Sequence, residues 1–394
     1  TSGYSIKGLS MTASLQKLRL CLVGPVAPPA GGMANQTRQL LELLRQDGAE
    51  VELVAVNAPY QPAIIGKVPG LRAVFRLMPY LYRLFRACGK AQVVHIMANS
   101  GWSWHLFAAP AIWIAYLRGT PVLVNYRGGH ADSFFASSWR IVNASLRHAS
   151  AVLVPSVFLQ QVFGRYQQTE SAAKPSAAVP VEIVPNILDQ QLFYPRPPEA
   201  GANDTDDIRA PHFIVTRNLE AIYDVATAIE AFALLYRDNS QARLTIAGSG
   251  PLLAALQQQV QQHNLGHAVS FAGRLSVEQM AQLYRSADIM LNSSLVDNSP
   301  NSIIEALACA VPVVSTDVGG ISHLVSHRHD ALLFSAGDHH TMYQLASELL
   351  HNPELRQQLK ANGLQNSSRF HWPHVRQRLA AHYQAAINGQ EQPA

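Results

Sequence analysis

The chain predicts an α/β protein made of two parallel-sheet domains. Three observations carry this expectation: apolar runs of strand length alternate with helical stretches, the alternation occurs twice, and a polar, helix-poor segment lies between the two series. A length of 394 residues suits two or three domains, each large enough for its own core. Residues 18–24 (LRLCLVG) open the first series as a buried strand, followed by a Pro/Gly loop and a helix over about 35–47. Further apolar runs at 51–56, 93–97, 121–125 and 151–155 continue it. Residues 167–179, rich in Ser, Ala and Pro, read as a surface loop, and 196–210 as a linker. The second series starts at Phe213 (FIVTR) and runs through LTIAG, VSFAG, ADIMLNS and VPVVST. Residues 371–387 then show helical periodicity. The expected domains are therefore 11–195 and 211–370, with a last helix over 371–394. The ten residues before Met11 are expected to be a cloning scar.

Composition narrows the function. The charged fraction is 14%, and Cys21, Cys88 and Cys309 are too far apart in sequence to form a C-x-x-C pair. Neither a zinc site nor a disulfide framework is indicated, so a reducing, cytoplasmic setting is expected. No signal peptide is read after Met11. The most apolar stretch, 102–117, is interrupted by His105 and is too short to span a bilayer. With a net charge of +4 and no recognisable stacking-plus-basic module, nucleic acid is not an expected partner.

The most informative stretch is 293–320, SSLVDNSPNSIIEALACAVPVVSTDVGG. It sets two carboxylates, Asp297 and Glu305, on either side of a loop-to-helix junction. Ser299 is expected to N-cap that helix, with Pro300 in its first turn, where a missing N–H costs nothing. Ile303, Ile304 and Leu307 form an apolar face, and 311–314 reads as the next strand. The N–H groups of Asn301, Ser302 and Ile303 would then point out of the helix start, where a phosphate is favoured. Asn298 lies at the same junction. A phosphate seat flanked by acceptors for sugar hydroxyls reads as a nucleotide-sugar pocket.

This segment resembles the donor-binding signature of the retaining glycosyltransferases of family 4, which have the GT-B fold. The family pattern E-x7-E stands here as D-x7-E, from Asp297 to Glu305, followed by ALACAVPVV. The run 181–195, VEIVPNILDQQLFYP, is similar to the family's hinge signature, with Ile187 in place of the usual Gly. The resemblance covers nearly the whole chain from Leu18. It implies two Rossmann-like domains facing each other across a cleft, with the last helix crossing back to the first. It also implies that Glu305 holds the ribose and Asp297 faces the donor sugar. Gly31 and Gly32 in the first βα loop, and Gly248 and Gly250 in GSGP, would lie by the diphosphate. His130, in NYRGGHAD, is the nearest equivalent of a histidine that contacts the donor sugar; a plain loop histidine is the alternative. His95 is expected to be structural.

One departure concerns the chemistry. The family's Arg/Lys pair, which neutralises the leaving diphosphate, falls on Asn218 and Tyr223. Arg217, one residue earlier, or Arg127 are the candidate replacements. Residues 67–90 hold six basic residues and no acid, interleaved with aromatic and aliphatic side chains. Such a segment suits an anionic membrane surface, or else a packed helix with a solvated basic face. The expected activity is a metal-independent hexosyl transfer from a nucleotide-diphosphate sugar, as co-substrate, to a glycan or lipid-linked acceptor in polysaccharide or glycolipid synthesis. No cofactor and no metal are expected. The protein would be cytoplasmic, peripheral to the inner face of the membrane. A sugar-nucleotide binder without turnover and a nucleotide-sugar epimerase are the alternatives.

Overall fold

The computed structural model describes residues 14–27, 32–58, 71–171, 178–197, 208 and 210–391, the side chains of 71–75, 170–171 and 390–391 excepted. The expected cloning scar, Gly31, Lys67 and most of the expected linker lie outside the described residues. The chain divides into two compact units, 1–187 with 372–394, and 188–371.

The first unit is a six-stranded sheet wrapped by helices. Its elements are β1 (Arg19–Gly24), α1 (Gly32–Gln46), β2 (Glu50–Ala55), α2 (Leu71–Cys88), β3 (Val93–Ala98), a π-helical turn (Trp104–Ala108) running into α3 (Ala109–Leu117), β4 (Val122–Tyr126), α4 (Ala131–Leu146), β5 (Ala151–Val154), α5 (Val157–Ser171) and β6 (Val181–Ile183). The strand order is β2-β1-β3-β4-β5-β6 and every pairing is parallel. β3, β4 and β5 are buried along their whole length. Central parallel strands carry helices on both faces, so their side chains are apolar without alternation.

The second unit contains β7 (His212–Thr216), a 3-10 turn (Ala221–Tyr223), α6 (Val225–Asp238), β8 (Arg243–Ala247), α7 (Leu253–Gln262), β9 (Val269–Gly273), α8 (Val277–Ser286), β10 (Ile289–Asn292), α9 (Asn301–Ala308), β11 (Val313–Thr316), α10 (Ile321–Leu324), β12 (Leu332–Phe334), α11 (His339–His351) and α12 (Pro353–Ser367). The parallel order β12-β11-β10-β7-β8-β9 reverses direction between β7 and β10. Ligands of such sheets bind beyond the strand ends at that reversal. The last helix, α13 (Trp372–Glu391), belongs to the first unit. Val375, Leu379 and Tyr383 share a core with Leu40 and Leu44 of α1, while Trp372 Nε1 and Arg376 Nε both donate to Asp47, at 2.9 and 2.7 Å.

Four expectations are corrected. The first domain ends at 187, not 195. Leu188 and Phe193 are buried beside Tyr284 in the second unit's core, and the Leu188 N–H donates to the Phe370 carbonyl at 2.9 Å. Residues 167–171, expected as loop, extend α5, anchored by a 2.9 Å bond from Thr169 Oγ1 to the Arg165 carbonyl. Ser299 does not cap α9: Pro300 holds that position in extended conformation, with no side-chain cap. Val311 and Pro312 precede β11, because Pro312 has no N–H for a ladder. No helix among the described residues is long and apolar enough to cross a membrane.

Candidate functional site

Arg217 follows β7 and Asn292 ends β10, so the two residues straddle the reversal of the second sheet. Arg217 Nε donates to Asn292 Oδ1 at 2.9 Å, and Nη2 meets Asp297 Oδ2 at 2.5 Å. Both side chains of the ion pair are largely buried, 10% and 14% exposed. The guanidinium also stacks over the Tyr223 ring, 5.1 Å from its centroid. Of the two positions expected from sequence, Arg217 thus reaches the carboxylate directly and Tyr223 packs its ring against Arg217. Asn218 does not join them; it is exposed and bonds Glu220 at 3.2 Å.

Glu305 lies on the second turn of α9. Its side chain keeps some solvent contact, yet protein surrounds the carboxyl closely, and this desolvation pushes its pKa up to about 7. A hydrogen bond from Tyr284 and the charge of Arg217 pull in the opposite direction. The Tyr284 hydroxyl also bonds Thr216 Oγ1 at 2.8 Å, at the end of β7. At the α9 start, the Ile303 N–H is already used by the Pro300 carbonyl at 3.2 Å, so it drops out of the expected trio of amides. The Ser302 hydroxyl is buried with no hydrogen-bond partner among the described residues.

Sequence reasoning missed the parts that hold this cluster in place. Asn292 accepts from Arg217 and from Ser294 Oγ at 2.9 Å, and donates to Ser315 Oγ at 2.8 Å. Gly319 and Gly320 close behind the acidic loop. The Gly320 N–H donates to the Asp297 carbonyl at 2.8 Å, and a Cβ on Gly320 would lie 1.7 Å from the Asn298 carbonyl oxygen. Gly319, at φ +56, would place a Cβ 2.1 Å from the Asp297 oxygen. Gly248 and Gly250 fit in the same way against the Arg217 and Leu219 carbonyls, at 1.9 and 2.3 Å. Close loop packing accounts for these two glycines. The terminal GG of the 293–320 segment was the available signal for Gly319 and Gly320.

The first unit holds the remaining candidates. Gly32 is exposed at the start of α1. Arg127 turns inward: Nε donates to Asn125 Oδ1 at 3.1 Å, and Nη1 to Asn186 Oδ1 and, at 3.5 Å, to Gln36 Oε1. Burial lowers its pKa to about 10. Gln36 also grips Ile187, accepting from its N–H at 2.9 Å and donating to its carbonyl at 2.8 Å. His95 is structural, as expected. It sits buried between the Tyr383 hydroxyl (2.9 Å) and Asn125 (3.2 Å), and burial, then the charge of Arg127, lowers its pKa to about 3. His130 stands exposed at the N-cap position of α4 without capping it. It lines a recess of about 430 Å³ formed by residues 99–101, 129–130 and 133–134.

Two sequence families cover this architecture. Residues 31–185 match the family described as Glycosyl transferase 4-like domain, and residues 208–366 match Glycosyl transferases group 1. The chain belongs to glycosyltransferase family 4, with the GT-B fold. N-acetyl-alpha-D-glucosaminyl L-malate synthase of Bacillus anthracis is 27% identical over 197 residues, 49% of each chain. Alpha-monoglucosyldiacylglycerol synthase of Streptococcus pneumoniae is 21% identical over 62% of this chain and 57% of its own. The chain thus spans about half the length of these two curated relatives. Among solved structures, Anabaena HepE in complex with UDP and glucose superposes with a TM-score of 0.67 at 16% identity, covering 92% of this chain and 98% of that one. Sucrose-phosphate synthase of Thermosynechococcus elongatus gives 0.70 at 20% identity, covering 95% and 100%.

Proposed function

We propose that the chain is a retaining, metal-independent hexosyltransferase using a nucleotide-diphosphate sugar. One observation carries the reading: Arg217, not the residue at 218, reaches the acidic loop, pairing with Asp297 beside Glu305. This cation beside the acidic loop supports Arg217 as the replacement for the family's Arg/Lys pair, whose positions hold Asn218 and Tyr223. In this reading Glu305 accepts the ribose hydroxyls and Asp297 the donor-sugar hydroxyls. Arg217, the Asn301 and Ser302 amides and the unpartnered Ser302 hydroxyl stabilise the diphosphate as negative charge develops on it. The bond between the anomeric carbon and the phosphate oxygen breaks, and the acceptor oxygen bonds that carbon on the same face. The acceptor proton passes to the leaving phosphate. His130 contacts the sugar near the reacting carbon.

The acceptor is a glycan or a lipid-linked sugar met at an anionic membrane surface on its cytoplasmic side. Exposed Met78, Tyr82 and Phe85 on α2 support the membrane contact, with exposed Arg83, Arg86 and Lys90 beside them. Two relatives are named for quite different acceptors, L-malate and a monoglucosyldiacylglycerol-forming lipid. Calorimetry with UDP, GDP and ADP tests the reading, UDP first because the HepE complex holds it. One nucleotide is expected to bind the native protein, and Glu305→Ala to abolish that binding. Binding by both alike counts against the site. Binding without turnover on any acceptor favours the non-transferring alternative, since Tyr223 still occupies the lysine position.

A further inference from the structure

We propose that Tyr223 is a positioning residue, whose ring is the shelf that sets the plane of the Arg217 guanidinium at the acidic loop. The 3-10 turn that carries the ring is tied to the start of that loop. The Leu295 N–H donates to the Ile222 carbonyl at 2.8 Å, and Ser293 Oγ donates to the Tyr223 carbonyl at 3.2 Å. Just after the ring, Asp224 adopts the left-handed region at φ +41, a conformation that persists only where surrounding contacts enforce it. Its carboxylate accepts from Thr227 Oγ1 at 2.6 Å, in the first turn of α6. The turn is thus held from both sides, and the Tyr223 ring lies half-buried against the second unit's core.

The guanidinium is held along its edge by Asn292 on Nε and by Asp297 on Nη2, and no described residue bonds Nη1. Edge bonds leave a flat group free to tilt. The ring, 5.1 Å from Cζ, restrains that tilt and leaves Nη1 for an anion. A cation–π contact is stronger where water is scarce, as it is around this largely buried pair. A lysine at 223, where the family's falls, would instead set a second cation against Arg217 with little water to screen it. Tyrosine adds no charge, since burial raises its hydroxyl above the usual phenol range and keeps it protonated. Position 223 therefore serves an anionic ligand through Arg217, with one charge and one shelf in place of two charges. That the anion is a diphosphate rests on the donor-site reading; the shelf itself is defined by the second unit alone.

Two measurements on the full chain test this. The first compares binding of the tightest of UDP, GDP and ADP with binding of its nucleoside, by NMR titration. Tyr223→Leu is expected to weaken the diphosphate by roughly tenfold and leave the nucleoside unchanged, whereas general loosening of the unit would weaken both. Tyr223→Phe keeps the ring and is expected to keep native affinity. Tyr223→Lys brings a charge and no ring, and is expected to fall with Tyr223→Leu. The proposal fails if Phe is as weak as Leu, if Lys binds the diphosphate more tightly than native, or if Leu leaves the diphosphate unchanged or weakens the nucleoside equally. The second measurement needs no ligand. In urea, Arg217→Met is expected to lower the midpoint less when Tyr223→Leu is already present, and strict additivity would overturn the shelf. Such coupling in a protein that binds no nucleoside diphosphate would uphold the shelf and sink the donor-site reading.

Discussion

Glu305→Gln separates the cost of a buried carboxylate from its use. The Glu305 carboxyl ionises near 4.5 in an unfolded chain and at about 7 in the folded one. Between those values the folded state keeps a proton that the unfolded state releases, so the unfolded state binds fewer protons and stability falls as pH rises. The loss accumulates at about 1.4 kcal/mol per decade, roughly 3 kcal/mol by pH 7, and levels off above it. Glutamine carries no charge and removes this slope. In a unit of this size each kcal/mol moves the melting point by roughly 2–4 °C. The variant is therefore expected to match the native protein at pH 5 and to melt higher at pH 8, by up to about 6–12 °C. It is also expected to lose nucleotide affinity, because a neutral amide is a weaker acceptor for ribose hydroxyls than a carboxylate. In the native protein nucleotide affinity rises from pH 6 to pH 8, as Glu305 ionises. Scanning calorimetry at the two pH values, with nucleotide titrations alongside, measures both. An unchanged melting difference between pH 5 and pH 8 would refute the desolvation argument. Undiminished nucleotide affinity in the variant would refute the ribose role.

Three further outcomes follow from the same site and its surroundings. Arg217→Met leaves Asp297 charged and uncompensated, so the second unit loses about 3–5 kcal/mol and nucleotide binding disappears; adding Asp297→Asn recovers the denaturant midpoint but not the binding. Gly320→Ala forces the Asn298 carbonyl away from a Cβ 1.7 Å distant, lowering both melting temperature and nucleotide affinity, whereas Gly389→Ala, which meets nothing within 4 Å, changes neither. Reversing Arg83 and Arg86 to Glu weakens cosedimentation with phosphatidylglycerol vesicles by roughly 30-fold or more; equal native binding to phosphatidylcholine vesicles would overturn the preference for an anionic surface, and no binding to either would overturn the membrane contact.

The sheets were legible because parallel strands buried on both faces must be apolar along their length, as VLVNY and AVLV are. The acidic loop was legible because Asp297, Pro300 and Glu305 are chemically unusual neighbours at a strand-to-helix junction. Arg217 was harder to place. Successive residues at a strand end point to opposite sides, so one position decides between the carboxylate and solvent, and the alignment of a motif cannot resolve it. The structure gives Arg217 the inward side and Asn218 the outward one. The N-cap at 300 rather than 299 is the same kind of one-residue ambiguity. The boundary at 187 was hidden for another reason. It depends on Gln36 gripping Ile187 from 151 positions away, a pairing that no local pattern announces.

The glycine pair behind the acidic loop limits how this chain can drift. The carbonyls of Asp297 and Asn298 occupy the volume that side chains at 319 and 320 would need. Neither loop tolerates a lengthened or bulkier version unless the other is rebuilt in the same step, so single changes of loop shape are closed off. Selectivity for a new donor is then more accessible by exchanging side chains on a fixed backbone, at positions such as exposed Leu295 and Val296, than by inserting residues.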